Sequence, residues 1–76
     1  MEIQFNNVKF RDSRKKKNFS QSQLAERAGT SERYIRAMEA GTKRNPSAII
    51  LYKATQALGE TVEAMMIMED TEDDKP

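Results

Sequence analysis

The chain has 76 residues, with 13 Lys+Arg against 12 Asp+Glu and a formal net charge of only +1. That length allows one domain with a modest core and makes a large substrate cleft improbable. It contains no cysteine and no histidine, which removes disulfides, thiolate zinc sites, a Cys nucleophile and the usual general base at neutral pH. An enzyme, a metal site and a bound cofactor are therefore not expected.

No alternating β-branched run extends beyond Ile3-Gln4-Phe5, so an all-α fold is predicted. Residues 1–6 read as a frayed N-terminal arm, with a short strand at a dimer edge as the alternative. A first helix is predicted from about Asn7 to Lys17, with Val8, Phe10 and Arg14 on its inner side and Ser13 at a position expected to be apolar. A second begins at Ser20, because Ser20-Gln21-Ser22-Gln23 fits the S-x-x-Q capping box. Leu24, Ala25 and Ala28 form its apolar face and Gly29 ends it. Ser31 is a good N-cap for a third helix, Ile35 and Met38 fall three apart on its inward side, and Gly41 can close it with φ > 0. Asn45 as N-cap and Pro46 at the first helical position open a fourth. Its predicted buried stripe is Ala48, Leu51, Tyr52 and Leu58, and Gly59 stops it. Thr61 caps a short fifth helix holding Val62, Met65 and Met66. Residues 69–76 are acidic and lack apolar anchors, so a disordered tail is expected. Residues 7–68 thus read as a compact five-helix bundle.

The N-terminal MEIQFNNVKF lacks the charged, apolar and small-residue regions of a secretory signal. No apolar run is longer than the one from Ala48 to Tyr52, which falls far short of the ~20 residues that span a bilayer. A cytoplasmic chain without membrane attachment is expected. The near-neutral charge conceals an asymmetry. Residues 1–46 hold eleven bases and five acids, a net of +6, whereas residues 47–76 hold two bases and seven acids, a net of −5. A polyanion partner for the first part is one reading; the other is that Arg11, Arg14 and Lys15 to Lys17 only solvate a helix face.

The spacing within helices two and three is the informative feature. Two helices joined by a short Gly-containing turn and crossing steeply define a helix-turn-helix, here over about residues 21–40. Ala25 stands at the close crossing, Gly29 four residues later makes the turn, and Ile35 ten after Ala25 packs back into the angle. With these residues in place, SQSQLAERAGTSERYIRAMEAGTKRNPS resembles the Cro/C1-type (XRE) helix-turn-helix domain, the lambda repressor-like fold of lambdoid phage repressors. The resemblance runs from about Phe10 to Met65. It includes the SQ-x-x-LA start of helix two, the E-x-G ending helix three, the NPS entry to helix four, and Leu58-Gly59.

The resemblance implies a structural ion pair between Arg14 in helix one and Glu39 near the end of helix three. It also implies that helix three enters the major groove of double-stranded DNA with its N-terminal residues toward base edges. Ser31, Glu32, Arg33, Arg36 and Ala37 are its outward residues. Arginine can pair bidentately with guanine, and Glu32 can either accept from cytosine or orient Arg36 as an i,i+4 partner, the favoured role. Ala37 offers only a methyl contact, where relatives often carry a polar reader. Phosphate contacts are expected from Ser20 and Gln21 at the start of helix two and from Lys43, Arg44 and Asn45 after helix three. Tyr34 either lays its ring on the sugar–phosphate backbone or packs at the core edge, and the structural role is favoured. Ser13 and Thr55 depart from the family's usual leucine and alanine and thin the core.

Relatives in the family usually dimerise, and Ile49, Ile50, Met66, Ile67 and Met68 exceed what the bundle interior requires. That end of the domain is the candidate homodimer interface. The leading expectation is a sequence-specific transcriptional repressor that occludes a promoter. The alternative is an antitoxin that represses its own operon and binds a toxin protein, which the acidic tail and surplus Ile and Met would suit. A protein-interaction module without DNA binding is the weakest reading, since it leaves Gln21, Arg33 and Arg36 idle.

Overall fold

A computed structural model describes residues 2–69. Its elements in chain order are β1 (Glu2–Phe5), α1 (Asn7–Lys16), α2 (Gln21–Ala28), α3 (Glu32–Ala40), α4 (Ala48–Leu58), a single 3-10 turn (Glu63–Met65) and β2 (Met66–Glu69). Side-chain oxygens cap each helix start. Asn6 Oδ1 accepts from the Lys9 amide at 3.1 Å. At α2 the box is reciprocal: Ser20 Oγ accepts from the Gln23 amide at 3.0 Å, and Gln23 Oε1 accepts from the Ser20 amide at 2.9 Å. Ser31 Oγ accepts from the Tyr34 amide at 3.1 Å. The glycines at 29, 41 and 59 all adopt positive φ at helix ends, the conformation that lets a C-terminal turn bond back on itself.

Two predicted elements are corrected. The fold has four α-helices, not five: the segment after Thr61 makes one 3-10 turn and then extends, with Met66 at φ −114° and ψ 143°. It does so to pair antiparallel with β1, in the register Glu2↔Glu69, Ile3↔Met68, Gln4↔Ile67 and Phe5↔Met66. Of the stretch expected as a frayed arm, Glu2–Phe5 are therefore strand and Asn6 is the N-cap of α1. A fifth helix of two turns would have had little stability of its own, whereas pairing satisfies the backbone of both segments at once. Asn6 begins the ladder, its amide donating to the Met65 carbonyl at 2.7 Å. Of the expected acidic tail, Glu69 ends β2 and residues 70–76 lie outside the described residues.

The start of α4 also differs. Asn45 and Pro46 precede the helix, and Ser47, extended at ψ 133°, is its N-cap. The Ser47 amide donates to the Tyr34 hydroxyl at 2.8 Å, which holds this residue outside the helix and moves the first turn to Ala48.

The core is built from Phe10, Leu24, Ala25, Ala28, Ile35, Met38, Leu51, Ala54, Leu58 and Met65, all nearly solvent-free. On α1 the inward positions are Phe10, Ser13 and Arg14; Val8, expected there, is 51% exposed. On α4 the buried stripe is Leu51, Ala54, Thr55 and Leu58, at i, i+3, i+4 and i+7, so Ala48 and Tyr52 face outward instead. Thr55 is buried without an unsatisfied group, because its hydroxyl donates to the Tyr52 carbonyl at 2.9 Å. Phe5 of β1 meets Phe10 edge to face at 5.4 Å between centroids, which fixes the two-stranded ribbon to the helical core.

Candidate functional site

Helix α3 divides cleanly. Ile35, Met38 and Glu39 are buried, Ser31, Glu32, Arg33 and Arg36 are exposed, and Tyr34 and Ala37 are half-buried. The left-handed Gly29 (φ +72°), Thr30 and the cap Ser31 turn the chain from α2 into α3 within three residues. Ala25 is 3% exposed on α2 and Ile35 fully buried on α3, which is what a close crossing requires of a small and a branched side chain.

Behind this face lies a polar network among three helices. Arg14 of α1 holds Glu39 of α3 through two bonds, Nε to Oε2 at 2.6 Å and Nη2 to Oε1 at 3.0 Å. The paired side chains are only 11% and 4% exposed. Arg14 Nη1 also donates to the Phe19 carbonyl at 2.8 Å, and Gln21 Nε2 donates to Glu39 Oε1 at 3.1 Å. Asn7 Nδ2 completes the set by donating to the Glu39 carbonyl at 2.9 Å. The C-terminal half of α3 is thus fixed to both ends of α1, through Asn7 and Arg14, and to the start of α2, in a nearly dry site.

On the exposed face, Arg36 Nη2 meets Glu32 Oε2 at 3.0 Å across one turn. Arg33 has no acidic partner within 4.0 Å among the described residues. Ala37 uses its carbonyl to receive the amides of Thr42 and Lys43 and the Thr42 hydroxyl, so it closes the helix into the following loop. Tyr34 packs against the core and its hydroxyl accepts the Ser47 amide, while the Lys43 ammonium sits 4.9 Å from its ring centroid. Arg44 and Asn45 are exposed beyond it.

The remaining residues singled out in the sequence fall in several places. Ser20 is exposed at the start of α2, but Gln21 is half-buried and engaged with Glu39. Lys15 and Lys16 are exposed near the end of α1. Lys17 lies against the C-terminal end of α4, with Nζ 3.6 Å from where a Cβ at Gly59 would be. Ile49 is 66% and Ile67 37% exposed. Ile50 and Met66 are half-buried against the core, and Met68 pairs with Ile3 in the ribbon.

One feature escaped the sequence reading. A groove of about 480 Å³ runs between Gln4, Phe5 and Asn7 on one side and Gly41, Lys43, Arg44 and Asn45 on the other. It depends on β1 being a strand, for which the available signals are the alternation of Ile3 and Phe5 in EIQF and the apolar run Met66-Ile67-Met68. No cluster of three or more potential carboxylate ligands exists among the described residues. None of their helices is long and apolar enough to cross a membrane.

A helix-turn-helix family model matches residues 10–64, from the buried Phe10 to the 3-10 turn. The chain belongs to the Cro/C1-type (XRE) helix-turn-helix family. An uncharacterised HTH-type transcriptional regulator of Sinorhizobium fredii, y4dJ, is 41% identical over 46 residues, which span 60% of this chain and 58% of that protein. SinR of Bacillus subtilis, the master regulator for biofilm formation, has been solved in complex with DNA. It superposes with a TM-score of 0.73 at 32% identity, covering 78% of this chain and 94% of that one. In its complex with SinI, SinR superposes at 0.75 and 27% identity over 93% of this chain and 67% of that chain.

Proposed function

We propose that this XRE-family chain binds double-stranded DNA sequence-specifically through α3 and acts in the cytoplasm as a transcriptional repressor that occludes a promoter. The observation that carries this reading is the exposed Arg33 and Arg36 face on a helix whose other side is fixed by the buried Arg14–Glu39 pair. Rigid presentation matters because base readout depends on bidentate geometry. In this reading Ser31, Arg33 and Arg36 reach base edges, Glu32 orients Arg36, and Ala37 contributes a methyl contact. Ser20, Lys43, Arg44 and Asn45 contact phosphates, and Gln21 acts from its engaged position beside Glu39 with its backbone amide.

A single module of this kind covers roughly 600–1,000 Å² on DNA, little for a unique site, so we take the active form to be a homodimer spanning two half-sites about 34–36 Å apart. Exposed Ile49 and Ile67 support an interface there, with Met66, Met68 and Ile50 in support. The second reading, an antitoxin that represses its own operon, draws on the same apolar exposure and on a structural neighbour solved with a protein partner. Co-purification of a toxin encoded beside this chain would favour it.

The test is selection of bound duplexes from a random pool, followed by two variants. Arg33→Ala should lower affinity for the selected site by about 5- to 150-fold, equivalent to 1–3 kcal/mol, and relax preference at one position. Lys43→Ala should weaken selected and random duplexes alike. Identical behaviour of the two variants on both duplexes would refute the assignment of α3 as the reading helix.

A further inference from the structure

The groove beside the loop after α3 is rich in hydrogen-bond donors and contains no carboxylate. Lys43 is held at its rim over the Tyr34 ring, and that ring is itself fixed by the bond from the Ser47 amide. The ammonium is therefore placed before any ligand arrives, with its N–H groups still available. Arg44 has no acidic partner within 4.0 Å among the described residues. Across the groove, Asn7 uses one Nδ2 hydrogen on the Glu39 carbonyl and retains the other. Gln4 is exposed on β1 opposite Ile67. Because Asn6 bonds to Met65, strict alternation makes Gln4↔Ile67 a hydrogen-bonded pair, so the Gln4 backbone is locked into the ribbon.

Two cations and three primary amides, with nothing to repel an anion, suit phosphoryl oxygens, which only accept. The groove is open, much larger than one phosphate, and continuous with the loop that leaves α3, which fits a polymer passing along it better than a small free anion. We propose that it seats a backbone phosphate of duplex DNA beyond the bases facing α3, with Gln4 and Asn7 donating and Lys43 and Arg44 supplying charge. This rests on the DNA-binding reading above and adds the N-terminal strand to the footprint. It also makes β1–β2 pairing, a contact remote in sequence from α3, a condition of full affinity.

The test uses the full chain and the duplex selected above, with binding measured from 50 to 200 mM salt. Gln4→Lys places a cation in the groove and should steepen the slope of log K against log[salt] by about 0.9, an extra three- to fourfold loss of affinity across that range. Gln4→Glu should weaken binding at every salt concentration. Gln56→Lys, an equal charge change on the exposed last turn of α4, should leave the slope at its wild-type value. A wild-type slope for Gln4→Lys overturns the groove assignment while the DNA-binding reading stands. Absence of duplex binding by the wild-type chain overturns both. Unchanged slopes together with amide shifts at Gln4 and Asn7 on adding millimolar inorganic phosphate would make the groove a free-anion site, which also overturns the proposal.

Discussion

Replacing Glu39 by alanine should cost this domain about half of its stability. The Glu39 carboxylate accepts three bonds, two from Arg14 and one from Gln21. Its removal leaves the Arg14 guanidinium in a site 11% exposed, with the Phe19 carbonyl as its remaining protein partner. Removing one member of a buried ion pair costs about 3–5 kcal/mol, because the other charge stays desolvated and unpaired. At about 0.05–0.15 kcal/mol per residue, the whole domain is stable by only about 4–11 kcal/mol. Since 1 kcal/mol moves the midpoint of a domain this size by about 4–8 °C, Glu39→Ala should lower Tm by about 12 °C or more. Urea unfolding followed by circular dichroism, on wild type, Glu39→Ala, Arg14→Met and the Arg14→Met/Glu39→Leu double variant, separates the pair from its parts. The double variant should lie closer to wild type than Glu39→Ala does, because no charge is left buried alone. A cost below about 1 kcal/mol for Glu39→Ala, the worth of a surface pair, would refute the claim that this network is what fixes α3.

Three further variants probe separate elements. Ser31→Ala removes the oxygen that accepts the Tyr34 amide and should destabilise by about 0.5–2 kcal/mol, read from the urea midpoint. Gly41→Ala should cost about 1 kcal/mol or more, since its φ is +85° and a Cβ would stand 3.4 Å from Asn7 Nδ2. Lys17→Ala should lose about 0.3–1 kcal/mol of favourable charge at the end of α4 and leave the salt dependence of DNA binding unchanged. A slope shallower by about 0.9 for that variant would instead place Lys17 at a phosphate.

What could be read in the sequence was what is decided within a few residues. The capping oxygens of Ser20 and Ser31, the glycine helix ends and the Ala25–Gly29–Ile35 spacing are local, and each has the role its chemistry implies. Glu32 facing Arg36 is equally local. Most of what differs is settled by partners far along the chain. Asn45-Pro46 has sound helix-start chemistry, yet the Tyr34 hydroxyl, thirteen residues away from Ser47, takes the amide that sets the boundary. Tyr52 falls on the predicted buried stripe of α4, but the observed stripe through Leu51, Ala54, Thr55 and Leu58 leaves it 56% exposed. The Gln21 side chain donates to Glu39, eighteen residues on, a contact that its place at the start of α2 does not announce. The strands are the extreme case: four residues each, with neither long enough to announce itself and each depending on the other.

The ribbon also sets an order of assembly. Its strands are separated by some sixty residues of chain, so closing that loop from the unfolded state carries a large entropic cost. Once the four helices have packed, the two ends already lie side by side and pairing fixes only a few residues more. The ribbon is therefore the last piece to form and the first to open, and the amides of Gln4 and Ile67 should exchange with solvent while those of α2 stay protected. Each opening withdraws Gln4 from the loop after α3. Apparent affinity for any ligand that needs both is then scaled by the fraction of time the ribbon is closed, which ties the slowest-formed contact of this small domain to the occupancy of its partner.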